Sequence, residues 1–379
     1  MSKTVAALCL ALALFTVTYA VNLSAPLYDL YAQHSDVGAV AVTIAFAAYV
    51  AGLMPTLLLL GGLSDRIGRR VPIATALLFG TCATLLLIWI PTMNSLVIAR
   101  FFLGVGTGLA ATSGTAYMND ILGPEQQGLS ALIVTSATSL GFGGGALATG
   151  LSLSVFGPSF MPASYIGMLG SAPVLAAVVL GLPRADRAQA VSLLRLPVFP
   201  SGTWMFGCAM ALAWSTSGMT IAIVPLELAA NGLGGWTGLV VFLAIFVGFL
   251  CQPLARRMRN PHALALGFCL VPLGFLVLLM GVWLHVLALV LIGTCITSAA
   301  SYGFTYLASL SELSLRAPSD QARATAGLFV YAYLGFSLPV VAAGALADVL
   351  GRLPAMMAFE GALIILTLAV VLRWRHLGN

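Results

Sequence analysis

The stretch Gly61-Gly62-Leu63-Ser64-Asp65-Arg66-Ile67-Gly68-Arg69-Arg70 decides how this chain is read. Five polar side chains, Ser64, Asp65, Arg66, Arg69 and Arg70, stand between two long apolar runs. The chain has 379 residues, of which 60% are hydrophobic and only 7% charged. Soluble domains carry about 25% charged residues. The flanking runs have the length of about 20 residues that a helix needs to cross a bilayer. The stretch therefore reads as a hairpin at the membrane surface, joining two spanning helices. Barrel strands would show alternation over about ten residues instead.

Working outward, the apolar runs repeat along the whole chain. The first six spans are expected at Thr4–Tyr28, Gly38–Leu60, Val71–Ile90, Ser95–Met118, Gly128–Val155 and Ala163–Leu182. A polar stretch, Pro183–Pro200, follows, with Arg184, Asp186, Arg187 and Arg195. Six more spans start near Gly202, Trp236, Ala263, Val286, Arg323 and Pro354, the last ending at Arg373. The expected domains are thus a six-helix bundle over 1–182, a cytoplasmic linker over 183–200 and a second bundle over 201–379. Lys3 and the apolar run behind it mimic a cleavable signal peptide. The run continues past Ala20 to Tyr28, so the expectation is a retained first span.

Twelve spans place both termini on one side. With that side inside, every one of the 16 Lys and Arg residues except Arg100 and Arg352 falls in an inner segment. Basic residues collect in cytoplasmic loops, so both termini are expected to be cytoplasmic. The net charge of +5 is then a topology signal rather than a nucleic-acid surface. Cys9, Cys82, Cys208, Cys251, Cys269 and Cys295 all lie in apolar runs without metal or redox spacing, which suits small buried residues. The two halves also echo each other. Pro124–Gly128 and Pro318–Ala322 precede spans five and eleven, and Gly145-Ala146-Leu147-Ala148 returns as Gly344-Ala345-Leu346-Ala347. Paired halves of this kind bind substrate near the membrane midplane.

The pattern Gly61-x-Leu63-x-Asp65-Arg66-x-Gly68-Arg69-Arg70 resembles the signature loop between spans two and three of the major facilitator superfamily of secondary transporters, and matches it in full. After span eight, Gln252-Pro253-Leu254-Ala255-Arg256-Arg257 keeps the basic pair but lacks the Asp and the second Gly. The resemblance implies an all-α membrane protein with two six-helix bundles related by pseudo-two-fold symmetry. It also implies a conformational gate at Gly61, Asp65, Arg66, Gly68, Arg69 and Arg70, in which Asp65 holds the start of span eleven and favours the outward-open state. A helix N-terminus favours an anion there.

Span four carries Leu96-x-x-x-Arg100-x-x-x-Gly104-x-Gly106-x-Gly108. An arginine inside a membrane helix costs at least a few kcal/mol, so it is expected to face the protein interior with a partner. The alternative is snorkelling to the headgroups. The spacing is similar to a span-four signature of the superfamily in which the Arg is linked to proton coupling in drug antiporters, although Leu103 stands where that pattern often has Gln. Gly104 and Gly108 form a face for close helix packing. Span five, with Gly141-Phe142-Gly143-Gly144-Gly145, resembles an antiporter glycine motif at Gly141 and Gly145, with Ala146 in place of its proline.

Acidic residues are few, so the proton-coupling candidates besides Arg100 are Glu360, Glu227 and Asp29. Glu360 reads equally as a neutral carboxyl hydrogen-bonded to a neighbour, and Glu227 and Asp29 as solvated ends of spans seven and one. Asp348 and Arg352 are near enough in sequence to pair in the last outer loop, and Asp120 and Glu312 end spans four and ten. The substrate-binding candidates on spans one, four, seven and ten are Asn22, Tyr28, Thr112, Tyr117, Trp214, Ser215, Ser301 and Tyr302. This lining is largely neutral and suits an amphipathic or weakly charged organic molecule. The expected function is export of such a compound, a drug or metabolite, across the inner membrane by proton antiport, with proton-coupled uptake as the alternative. The expected partners are substrate, protons and the lipid bilayer, with no nucleic acid, and the expected state is a monomer. No cofactor, metal or enzymatic activity is expected: the four histidines, His34, His262, His285 and His376, are far apart at helix ends, and no ATP-binding loop is present.

Overall fold

In the computed structural model, residues 2–183, 193–194, 196–318 and 320–377 are described. The linker residues Arg184, Asp186, Arg187 and Arg195 lie outside them. All regular structure among the described residues is helical. Twelve helical stretches there are long and apolar enough to cross a membrane.

The chain divides into two compact units: Met1–Leu27 with Ala48–Leu196, and Tyr28–Ala47 with Pro197–Asn379. The first break falls where span one is interrupted. Helix α1 (Lys3–Asn22) gives way to a 3-10 turn at Ala25–Leu27 before α2 (Tyr28–His34). Pro26 lacks an amide hydrogen and disfavours helix at the residue before it, which accounts for the interruption. Span one thus runs on to His34, so Asp29 sits in a helix rather than in the loop expected after Tyr28. The second break falls inside α3 (Ala39–Leu59), whose first nine residues belong to unit two.

The rest of unit one is α4 (Leu63–Ile67), α5 (Arg70–Trp89), α6 (Met93–Leu122), α7 (Gln127–Phe156) and α8 (Ala163–Gly181). Glycines let these helices approach backbone to backbone. On α6, a Cβ at Gly104 would strike the Tyr49 carbonyl of α3, and one at Gly108 would strike Thr56, as the small-residue spacing predicts. On α7, a Cβ at Gly141 would meet Thr18 and the Phe15 carbonyl of α1, and one at Gly145 would meet the Tyr19 carbonyl.

Unit two contains α9 (Trp204–Ala222), α10 (Val224–Ala230), α11 (Thr237–Arg257), α12 (Asn260–Trp283) and α13 (Leu287–Ser298). A π-helical segment, Ala299–Thr305, leads into α14 (Tyr306–Arg316), followed by α15 (Gln321–Leu350) and α16 (Arg352–Leu377). Helix α9 packs on α15, α16, α12 and the π segment. All but four of its 19 residues are buried, which marks it as the centre of the unit.

Candidate functional site

The hairpin Gly61–Arg70 forms the short helix α4, closed by Gly68 at φ +92°. Only glycine enters that left-handed region without strain, so its place in the pattern has a backbone cause. Asp65 is ion-paired with Arg69 one turn later. Arg69 also donates to Ser64 Oγ (2.8 Å) and to Asp120 Oδ2 on α6 (3.3 Å). Arg70 donates to the Leu180 carbonyl at 2.9 Å. The Gly62 amide donates to the Leu193 carbonyl at 3.1 Å. Tyr117 donates through its hydroxyl to the Pro183 carbonyl at 2.8 Å and lies against Arg70. Arg66 is exposed. The hairpin residues Arg69 and Arg70 thus join α4, α5, α6 and the end of α8 by side-chain bonds, and Tyr117 belongs with them.

Arg100 is 1% exposed, which removes the snorkelling alternative. Its Nη1 donates to the Val21 carbonyl at 2.6 Å, and its guanidinium lies 5.1 Å from the centroid of the Tyr49 ring. Val21 sits in the last turn of α1, where carbonyls have no amide of their own helix to bond. The negative end of the helix dipole also points there. The interruption of span one thus creates the acceptor that holds the buried cation. Asn22, the next residue, donates to the Phe142 carbonyl of α7 at 2.8 Å. Arg100 and Asn22 are therefore brought together, whereas Thr112 lies farther along α6, bonded to the Leu109 carbonyl.

In unit two an aromatic cluster surrounds Trp214 of α9. Its ring centroid lies 5.2 Å from Tyr302, 5.3 Å from Tyr333, 6.0 Å from Phe336 and 6.1 Å from Phe329. The indole N–H is buried and has no hydrogen-bond acceptor among the described residues. Ser301, in the π segment, donates to the Ala213 carbonyl at 2.7 Å and lies 3.5 Å from Thr216. Gln252 donates to the Tyr302 carbonyl at 3.4 Å. Irregular π turns recur at functional sites because they re-aim side chains. Trp214, Ser301 and Tyr302 thus share one locus. Ser215 turns back to the Leu212 carbonyl, and Tyr28 is fully buried. The reading of spans one, four, seven and ten missed Phe329, Tyr333 and Phe336. Their spacing of four and three on one face of α15 was the available signal.

Glu360 lies about two turns into α16 and is 4% exposed. Neither carboxyl oxygen has a hydrogen-bond partner among the described residues, which removes the alternative of a carboxyl bonded to a neighbour. It shares a buried stripe with Met356, Leu363 and Thr367. Glu227 instead accepts from Arg352 Nε at 2.9 Å and from Asn231 at 3.3 Å. Asp29 accepts from Gln33 at 2.6 Å and lies near Arg352. The expected local pairing of Asp348 with Arg352 does not form. Asp348 accepts the Ala39 and Val40 amides, because a helix start with no cap of its own offers it two donors, and Arg352 turns to Glu227.

The Major Facilitator Superfamily model matches residues 10–338, and the chain belongs to that family. Among relatives, the multidrug resistance protein MdtM of Escherichia coli (strain K12) is 28% identical over 236 residues, covering 57% of this chain and 55% of its own length. The multidrug resistance protein MdtL of Shewanella oneidensis is 34% identical over 98 residues, 26% of this chain and 24% of that protein. The matched region spans about half or less of each relative. Among solved structures, that of the nucleoside transporter NupG superposes with a TM-score of 0.76 at 12% identity, covering 99% of both chains. That likeness establishes the fold. The chain thus belongs to the Major Facilitator Superfamily, carries its fold, and has twelve described helical stretches long and apolar enough to cross a membrane.

Proposed function

We propose that the chain exports a small organic compound across the bacterial inner membrane in exchange for protons, by alternating access. The observation that carries the proton is Glu360. A carboxyl buried in a membrane span with nothing to offset its charge is expensive to ionise and cheap to protonate. Helix α16 packs against α9, which carries Trp214, and this packing is the route we assign for coupling the proton to the substrate. The neutral aromatic and hydroxyl lining around Trp214 suits an amphipathic molecule, in keeping with the names of the two multidrug relatives. Arg100 serves as a fixed positive charge in unit one. Glu227 and Asp29 are secondary proton sites.

In this reading the chain works as two six-helix halves, 1–182 and 201–379, joined by a cytoplasmic linker. Both termini are cytoplasmic, the monomer is the working unit, and Asp65 helps hold the outward-open state. The test uses purified protein in liposomes enclosing a pH-sensitive dye, with ethidium among the first compounds offered. The expected result is proton movement opposite to the compound, lost in Glu360→Gln. Movement of both in the same direction would replace export by uptake. Unchanged coupling in Glu360→Gln would remove Glu360 as the carrier.

A further inference from the structure

In unit two the indole of Trp214 carries a buried donor that no acceptor among the described residues takes up. The side chain is 8% exposed, and its Nε1–H is the orphan. The donors around it are already spent. Ser301 and Thr216 both donate to the Ala213 carbonyl at 2.7 Å, and Gln252 donates to the Tyr302 carbonyl at 3.4 Å. Leaving a buried donor unpaired costs free energy, and folded chains seldom do so without a use for it. The four rings packed on Trp214 carry no charge. Three of them, Tyr302, Phe329 and Tyr333, are only half-buried. Tyr306, with its ring centroid 6.3 Å from that of Phe329, lies near Arg256. The cluster therefore offers flat apolar faces, one free donor and a nearby positive charge.

We propose that Trp214 is the specificity-determining donor of this cluster, and that its ligand is an uncharged planar aromatic compound with a ring nitrogen or carbonyl that accepts the indole N–H. The proposal rests on the reading of the Trp214 cluster as the substrate site. Rings take a planar ligand in offset-stacked or edge-to-face contact, which alone would admit any flat apolar molecule. The N–H adds a chemical demand. A site with a buried donor rejects a ligand that cannot use it, because the donor then stays unpaired. Aromatic faces also attract cations. Here the N–H turns the positive end of its dipole to the ligand, and Arg256 adds to it, so a positive charge is disfavoured. A rival for the N–H is the ring of Tyr333, which stands at 84° to the indole. An N–H···π contact is weaker than a bond to nitrogen or oxygen, so a ligand acceptor displaces it. Room comes from the half-buried Tyr302, which sits on the irregular π segment and can swing aside.

Tritiated quinoline, naphthalene and N-methylquinolinium test this on the full chain in lipid nanodiscs, with empty nanodiscs as the blank. The pH is mildly alkaline, so that quinoline is unprotonated. The three share one flat frame, and only quinoline has a free acceptor. Quinoline is expected to bind about tenfold tighter than either of the others, the scale of one buried hydrogen bond. Trp214→Phe keeps a ring but removes the N–H, and should bring the quinoline-to-naphthalene ratio to about one, since lost stacking affects both alike. Tyr302→Phe and Tyr333→Phe should leave the ratio as it is. If Trp214→Phe does not fold, the unmodified chain still decides: equal binding of quinoline and naphthalene would overturn the proposal. So would a ratio that survives Trp214→Phe or vanishes in either tyrosine variant, and so would N-methylquinolinium binding as tightly as quinoline. Binding of none of the three would overturn the reading of the cluster as the substrate site, and the proposal with it. The dye experiment above can fail independently, since it reads proton coupling rather than recognition.

Discussion

Among the described residues each unit buries one acidic or basic side chain, and the two are treated in opposite ways. In unit one Arg100 is met by the Val21 carbonyl, freed by the interruption of span one, and by the face of Tyr49. In unit two Glu360 is met by no hydrogen-bond donor among the described residues. A buried charge with a shaped acceptor stabilises the fold that shapes it. A buried carboxyl without a hydrogen-bond partner contributes no such stability, and in the proposed function it is the group that changes its protonation state. In the proposed function this difference makes Arg100 a fixed charge and Glu360 the proton carrier.

The comparison breaks most sharply at Arg100. Arg100→Ala should lower stability by about 3 kcal/mol, through loss of the charged hydrogen bond and an unfilled space. Unfolding in detergent followed by tryptophan fluorescence would measure it; a loss below about 0.5 kcal/mol would mean that the Val21 contact does not hold unit one together. Next come the two glycines of the internal repeat. Gly145→Ala places a methyl against the Tyr19 carbonyl, which is backbone, and should cost about 2 kcal/mol. Gly344→Ala meets the Thr43 side chain rather than backbone and should cost about half as much. Equal costs in the same unfolding experiment would show that the two contacts are alike despite their different atoms. Gly68→Ala should cost about 1 kcal/mol for its left-handed backbone, with open space around the new methyl. The smallest effect on stability is expected at Glu360→Gln, within about 0.5 kcal/mol, because no hydrogen bond is lost. The same variant should lose coupled proton movement, so stability and function part company at this residue.

Much of this was readable from the chain. The spans, their number and the hairpin at Gly61–Arg70 follow from apolar length and from the few places where charge interrupts it. Gly104 and Gly108 were legible as a close face because small residues at that spacing have one common use in a membrane. The partners of the polar residues were not legible. Asp348 and Arg352 are neighbours in sequence, yet each bonds a helix far away along the chain. Phe329, Tyr333 and Phe336 lie on span eleven, outside the four spans read as lining the site, and only the packing of α9 sets Trp214 among them. Tyr117, grouped with the substrate residues by its helix, turned out to anchor the hairpin.

Hydrophobicity and its interruption are local properties, so the sequence by itself determined a many-span helical membrane protein with a basic hairpin, whose pattern carries the resemblance to the transporter family. Satisfaction of a polar group depends on which atoms arrive from elsewhere in the chain. Only the tertiary structure could decide that Arg100 is compensated and Glu360 is not, because that difference lies in a broken helix end on one side and its absence on the other.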